Sequence, residues 1–169
     1  MNAYIRFIDS VNTGVKYIVS IMLAVLAILV VLQVTTRFVI NVPLAWTEEI
    51  ARYLMIYVVF LGSGLAMRYN QHIAIDFLLD VMKNVKNKAR LQTVILWISA
   101  FFCVLLAYYG TQLTVIVVEQ STPTLGYSMT WAYAAVPLGS LLMLLNIIAL
   151  LIEPKKVEDS IDRIVGENE

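Results

Sequence analysis

Seven consecutive residues, Trp46-Thr47-Glu48-Glu49-Ile50-Ala51-Arg52, set two carboxylates and a guanidinium within two helical turns at the mouth of an apolar stretch. Side chains three and four residues apart meet on one helix, so Glu49 and Glu48 can each reach Arg52. Two chemistries suit such a cluster. Deep in a bilayer, ionisable groups cost several kcal/mol and mark an ion or substrate pathway; paired at the interface they are cheap and act as an anchor. The same stretch closes on Arg68, His72 and Asp76, so polar groups bracket both ends of one apolar helix. Trp46 sits at the level of an aromatic belt residue, which predicts a shallow cluster and an anchoring role.

The elements that position this bracket follow from composition. Hydrophobic residues make up 60% of the 169-residue chain and charged residues 14%, against roughly 45–50% and 25% in soluble domains. The pattern is that of an integral membrane protein. Charge-free runs extend over 17–36, 53–67, 91–118 and 120–152, and a crossing needs about 20 mostly apolar residues. The second run alone is too short at about 1.5 Å per residue, so its helix must start near Ala45 and carry Glu48, Glu49 and Arg52 within it. Thr122-Pro123 and Gly126 read as a turn, and Pro137 predicts a kink in the last helix. The expected fold is all-α, one four-helix membrane domain over 1–169, with spans at about 16–38, 45–68, 91–118 and 128–152.

Ten of the twelve Lys and Arg residues fall before the first span, between the second and third, or after the fourth; only Arg37 and Arg52 lie toward the other side. The positive-inside bias therefore predicts both termini and the middle loop in the cytoplasm of a bacterial inner membrane. The first apolar run has the length of an anchor and no small-residue cleavage site after it, so it is expected to stay attached. Between spans two and three, Leu78, Leu79, Met82 and Val85 fall on one helical face and Lys83 and Lys86 on the other. That reads as an amphipathic helix at about 74–88, lying in the interface plane as a float. Tyr4, Phe7, Ile8, Val11 and Val15 repeat the pattern more weakly at the N-terminus, against Arg6, Asp9 and Asn12. An ordinary helical connector is the alternative for both segments.

Catalysis finds little support. Cys103 is the only cysteine and His72 the only histidine, so neither a thiolate metal cluster nor a bis-histidine haem is suggested, and no Ser-His or carboxylate pair or Gly-rich phosphate loop appears. No span carries an ionisable residue near its midpoint, where complete secondary transporters place their coordinating groups. No enzyme activity, cofactor, metal or nucleic-acid partner is expected. Gly62 and Ala66, Ser99 and Cys103, and Ala135 and Gly139 match the small-xxx-small spacing of packed membrane helices. The chain reads as a subunit of something larger, in contact with lipid.

Trp46-Thr47-Glu48-Glu49 with Arg52, then Phe60-Leu61-Gly62, then Arg68 with His72-Ile73-Ala74-Ile75-Asp76, resembles the small membrane subunit (DctQ-like, or Q subunit) of tripartite ATP-independent periplasmic (TRAP) transporters. Thr122-Pro123, Leu125, Trp131 and Val136-Pro137-Leu138-Gly139 resemble the last loop and helix of that family. Many members place a proline just before that tryptophan, where this chain has Ser128-Met129-Thr130. The resemblance implies a sodium-driven, ATP-independent transporter for organic anions of the sialic acid or dicarboxylate type. A large elevator-type subunit would carry the transport sites, a periplasmic binding protein would deliver substrate, and this chain would enlarge the stationary scaffold. In that setting Trp46, Glu48, Glu49, Arg52, Gly62, Arg68, His72 and Asp76 are the expected anchoring and partner-interface residues. A quinone- or haem-binding anchor of a respiratory complex is the alternative.

Overall fold

The computed structural model describes residues 2–42, 44–68 and 85–152, with helix α1 at Asn2–Phe38, α2 at Ala45–Arg68, α3 at Val85–Ile116, α4 at Thr130–Tyr133 and α5 at Ala135–Ile152. Four stretches, α1, α2, α3 and α4 with α5, are long and apolar enough to cross a membrane. At about 1.5 Å per residue α1 is about 55 Å long and α3 about 48 Å, both well beyond a hydrocarbon core of about 30 Å. The helices stand in a row rather than a closed bundle. α2 packs on α1 along one side and on α5 along the other, and α3 packs on the far side of α5.

The order of the row follows from where backbones approach. A Cβ on Gly139 would lie 2.6 Å from the Phe60 Cβ and 2.8 Å from the Phe60 carbonyl atoms, and one on Gly64 would meet Leu142 at 2.7 Å. Glycines on both helices thus let α2 and α5 touch backbone to side chain, the means by which helices associate in lipid. Next to this seam Met67, Leu96, Cys103, Ile147 and Leu150 form a buried apolar cluster joining α2, α3 and α5. Elsewhere the apolar surface faces outward: Ile21, Ile28 and Val31 on α1 and Trp97, Phe101 and Tyr108 on α3 are more than half exposed.

Pro137 does more than kink the last span. It has no N–H for the Tyr133 carbonyl, and the helix breaks at Ala134, resuming with the Leu138 amide donating to the Ala134 carbonyl at 3.2 Å. The preceding loop is a short hairpin with a single bridge, Ser121 to Ser128; the Thr122 amide donates to the Tyr127 carbonyl at 2.8 Å and Gly126 turns the chain at φ 70°.

At the N-terminus the structure departs from an interfacial float. The first residues continue the helix of the first span, and of the residues assigned to a polar face Asp9 and Asn12 bond to the protein while Arg6 stays exposed. Asn12 is buried, Asp9 pairs with Arg68, and Ile8 is buried beside them. Their partners on α2 and α5 outcompete water for these groups. The amphipathic helix expected at about 74–88 falls mostly outside the described residues, where Leu78, Leu79, Met82 and Lys83 lie; Val85 and Lys86 open α3, described there as backbone only.

Candidate functional site at the two ends of the second helix

The charged cluster divides in two. Arg52 Nη2 lies 3.2 Å from Glu48 Oε1 in an i, i+4 pair with side chains 67% and 54% exposed. Glu49 turns inward instead. Its Oε1 accepts from the Tyr53 hydroxyl at 3.0 Å and its Oε2 accepts from the Thr124 backbone amide at 2.9 Å, with the residue buried. Adjacent residues on a helix point about 100° apart, so only one of the two carboxylates can share the face of Tyr53, Phe60 and Gly64 that meets α5. Glu49 therefore ties the hairpin to α2, and the edge-on Tyr53–Tyr127 ring contact at 6.3 Å closes the same junction. Between the two carboxylates and the hairpin lies a cavity of about 310 Å³ lined by Glu48, Glu49, Arg52, Tyr53, Thr124 and Tyr133 among others.

Thr47 sets the start of the helix, its hydroxyl donating to the Leu44 carbonyl at 2.7 Å, and Trp46 beside it is 40% exposed. Arg37 does not join Glu48 or Glu49 across the short loop; its guanidinium carbon lies 5.9 Å from the Phe38 ring centre.

At the other end Arg68 is buried. Its Nε and Nη2 donate to Asp9 Oδ1 at 2.9 and 2.8 Å. The bracket residues His72 and Asp76 lie outside the described residues. One turn before Arg68, the Gly64 carbonyl accepts from Asn146 Nδ2 at 2.8 Å, and Asn146 and Asn12 exchange two further hydrogen bonds at 2.6 and 2.9 Å. Asp9, Asn12 and Asn146 were not among the expected site residues. Asn146, an amide in an otherwise apolar span, carried the one readable signal, since polar side chains in membrane helices face protein rather than lipid.

Gly62 faces open space, with no atom within 4 Å of a Cβ built on it. It continues an exposed stripe of α2 made by Glu48, Arg52, Met55, Val59 and Ser63, spaced four, three, four and four residues apart. The stripe lies away from α1 and α5. Thus Trp46, Glu48, Arg52 and Gly62 look outward, whereas Glu49 and Arg68 hold the chain to itself. Among the described residues no group of three His, Cys, Asp or Glu side chains comes together that could hold a metal ion.

Comparison with known proteins agrees with the resemblance read from the motifs. Residues 26–156 match the family described as tripartite ATP-independent periplasmic transporters, DctQ component. The chain is 30% identical over 161 residues, 88% of its length and 89% of the relative's, to the sialic acid TRAP transporter small permease protein SiaQ of Vibrio cholerae. It is 28% identical over 80% of its length, and 72% of the relative's, to the ectoine TRAP transporter small permease protein TeaB of Halomonas elongata. It is also 30% identical over 76% of its length to the sialic acid TRAP transporter permease protein SiaT of Haemophilus influenzae, of which the match spans 21%. An all-helical chain with four membrane-length stretches, a match over most of its length and relatives of nearly its own size place it in one family: the chain belongs to the DctQ component of TRAP transporters, a multi-pass membrane protein of the small-permease type.

Proposed function

We propose that this chain is the stationary small subunit of a sodium-driven uptake system for an organic anion, with substrate and sodium sites on a separate large subunit. Both termini face the cytoplasm, the Glu48 end of α2 faces the periplasm, and residues 74–88 ride in the cytoplasmic interface. A periplasmic binding protein delivers substrate. The observation that carries this reading is the row arrangement, which leaves an outward stripe on α2 from Glu48 and Arg52 to Gly62 and Ser63. A transmembrane helix of the large subunit is its occupant. The SiaT relative supports that choice, because there the matched stretch is about a fifth of one longer permease polypeptide. Small residues at Gly62 and Ala66 suit close helix approach in lipid, where helices associate by packing.

The relatives named for sialic acid and for ectoine are about equally similar, 30% and 28% identical. That is expected of a subunit that does not select substrate. The respiratory-anchor alternative is disfavoured by the family membership.

The test substitutes Gly62→Leu, Glu48→Ala and Arg52→Ala, co-purifies each chain with the large permease subunit, and measures sodium-driven uptake in vesicles. Gly62→Leu is expected to cut both assembly and uptake while leaving the isolated chain folded. Assembly and uptake at parental levels in all three variants would overturn the reading.

A further inference from the structure

The first helix is attached to the rest of the row by two unlike kinds of contact. From Val15 onward a single stripe of half-buried or buried residues, Val15, Val19, Met22, Leu26, Leu29, Gln33 and Thr36, runs along α2. Between Ile21 and Leu32 that stretch is apolar all round, with Ile21, Val25, Ile28 and Val31 at least 40% exposed. Rotating or sliding such a helix exchanges one apolar face for another against lipid that is itself as apolar as leucine, so the stripe specifies register only through packing.

Before Lys16 the contacts differ in kind. The Tyr4 hydroxyl donates to the Leu145 carbonyl at 3.2 Å, Asp9 Oδ1 accepts from Arg68, and Asn12 and Asn146 exchange hydrogen bonds with both side chains buried. These three residues, on successive turns, reach both α2 and α5. Among the described residues, the hydroxyls of Thr13, Ser20, Thr35 and Thr36 bond only to carbonyls of α1 itself. A polar pair inside an apolar interface satisfies its donors in one alignment, which is how a buried asparagine fixes register in coiled coils.

We propose that Tyr4, Asp9 and Asn12 form a register lock: the N-terminal fifteen residues, and not the apolar stripe, fix the rotation and height of the first transmembrane helix in the row. The lock sits at the Arg68 end of the wall and acts along the whole helix, because an α-helix transmits rotation rigidly over this length. It does not depend on the transport reading and is tested on the chain alone.

One alanine inserted after Lys16 sets the two attachments against each other. If the lock holds, every later residue of α1 turns by one position, about 100°, and Ile21 comes to the place of Met22, which shares a groove with Leu54 and Leu61 of α2. The full-length chain is expressed in bacterial membranes in a Cys103→Ala background, with Met22→Cys or Ile21→Cys paired with Leu54→Cys or Leu61→Cys, and oxidised. The parent is expected to cross-link through Met22→Cys. The insertion is expected to move the cross-link to Ile21→Cys, a one-residue shift. Adding Asn12→Leu and Asn146→Leu to the insertion is expected to spread it over Ile21→Cys and Met22→Cys. A cross-link that stays at Met22→Cys with the lock intact overturns the proposal. Should the insertion chain fail to accumulate, the Asn12→Leu and Asn146→Leu chain without insertion decides: spreading of the cross-link to Ile21→Cys supports the lock, and an unchanged single maximum overturns it.

Discussion

Gly139→Ala is the sharpest probe of the seam on which the row is built. The added Cβ would stand 2.6 Å from the Phe60 Cβ and 2.8 Å from its carbonyl carbon and oxygen. Carbon atoms settle at about 3.5–4.0 Å. The carbonyl belongs to a helical backbone and cannot rotate aside, so α2 and α5 must separate by about 1 Å. A gap of that size forfeits a quarter to a half of each contact along the interface, and overpacking that shifts backbone typically costs about 1–3 kcal/mol. Removing a glycine from a helix interior returns about 0.5–1 kcal/mol. The net loss is about 1–2 kcal/mol, a five- to thirty-fold change in the folded-to-unfolded ratio. Gly62→Ala is the matched control: it makes the same helix-propensity gain with no atom within 4 Å of the new methyl group, and it should leave the chain as stable as the parent or slightly more so.

The assay titrates the full-length chain with SDS in mixed micelles and follows helicity and tryptophan fluorescence. Gly139→Ala should shift the midpoint to lower denaturant and Gly62→Ala should not. Coincident curves for the two variants would refute the close approach of α2 and α5 as the source of stability.

Three further outcomes follow from the contacts. Glu49→Ala should speed amide exchange at Thr124 and the neighbouring hairpin residues in mass-spectrometric hydrogen exchange, with Glu49→Gln intermediate because one acceptor oxygen remains; unaltered protection would show that the hairpin is held by other contacts. Arg52→Ala breaks only an exposed pair, so the unfolding midpoint of the isolated chain should change by less than about 0.5 kcal/mol; a loss above about 1 kcal/mol would mean that the pair is desolvated within the chain itself. Asn146→Leu strands the Asn12 amide and removes the side-chain bond to the Gly64 carbonyl, costing about 2 kcal/mol at roughly 0.6 kcal/mol for each of its three hydrogen bonds in a membrane. Adding Asn12→Leu should recover part of that loss, whereas strictly additive losses would deny the coupling.

Hydropathy made the four apolar stretches and the turn at Thr122 to Gly126 legible, because the bilayer imposes length and backbone satisfaction on any sequence that crosses it. The motifs from Trp46 to Asp76 carried the family. Periodicity alone did not separate Glu48 from Glu49. Their rotation is set by where α5 lies, and that in turn by Gly64 and Gly139, whose contacts bridge residues more than seventy positions apart in sequence. Asn12 illustrates the same limit. Its neighbours Ile8 and Val15 make it look like the polar edge of an amphipathic float, yet its partner is Asn146, on a helix that no local pattern connects to it. A polar residue near a membrane surface satisfies itself with water or with protein equally well by sequence. The choice is made by the tertiary partner.

Different contacts hold different neighbours in this row. In lipid no hydrophobic force drives one helix onto the next, so each pairing needs its own source of specificity. α2 and α5 have backbone approach at Gly139 and Gly64, α3 has the cluster around Cys103 and Ile147, the hairpin has Glu49, and α1 has the contacts of Tyr4, Asp9 and Asn12. Lesions should therefore separate by place. Damage at Asn12 loosens the rotation and height of the outermost helix and leaves the α2–α5–α3 core standing, whereas damage at Gly139 divides the row down its middle. A closed bundle would behave otherwise, because each of its helices touches two others along its whole length. A row leaves two broad apolar faces outside, each open to whatever apolar surroundings the membrane supplies.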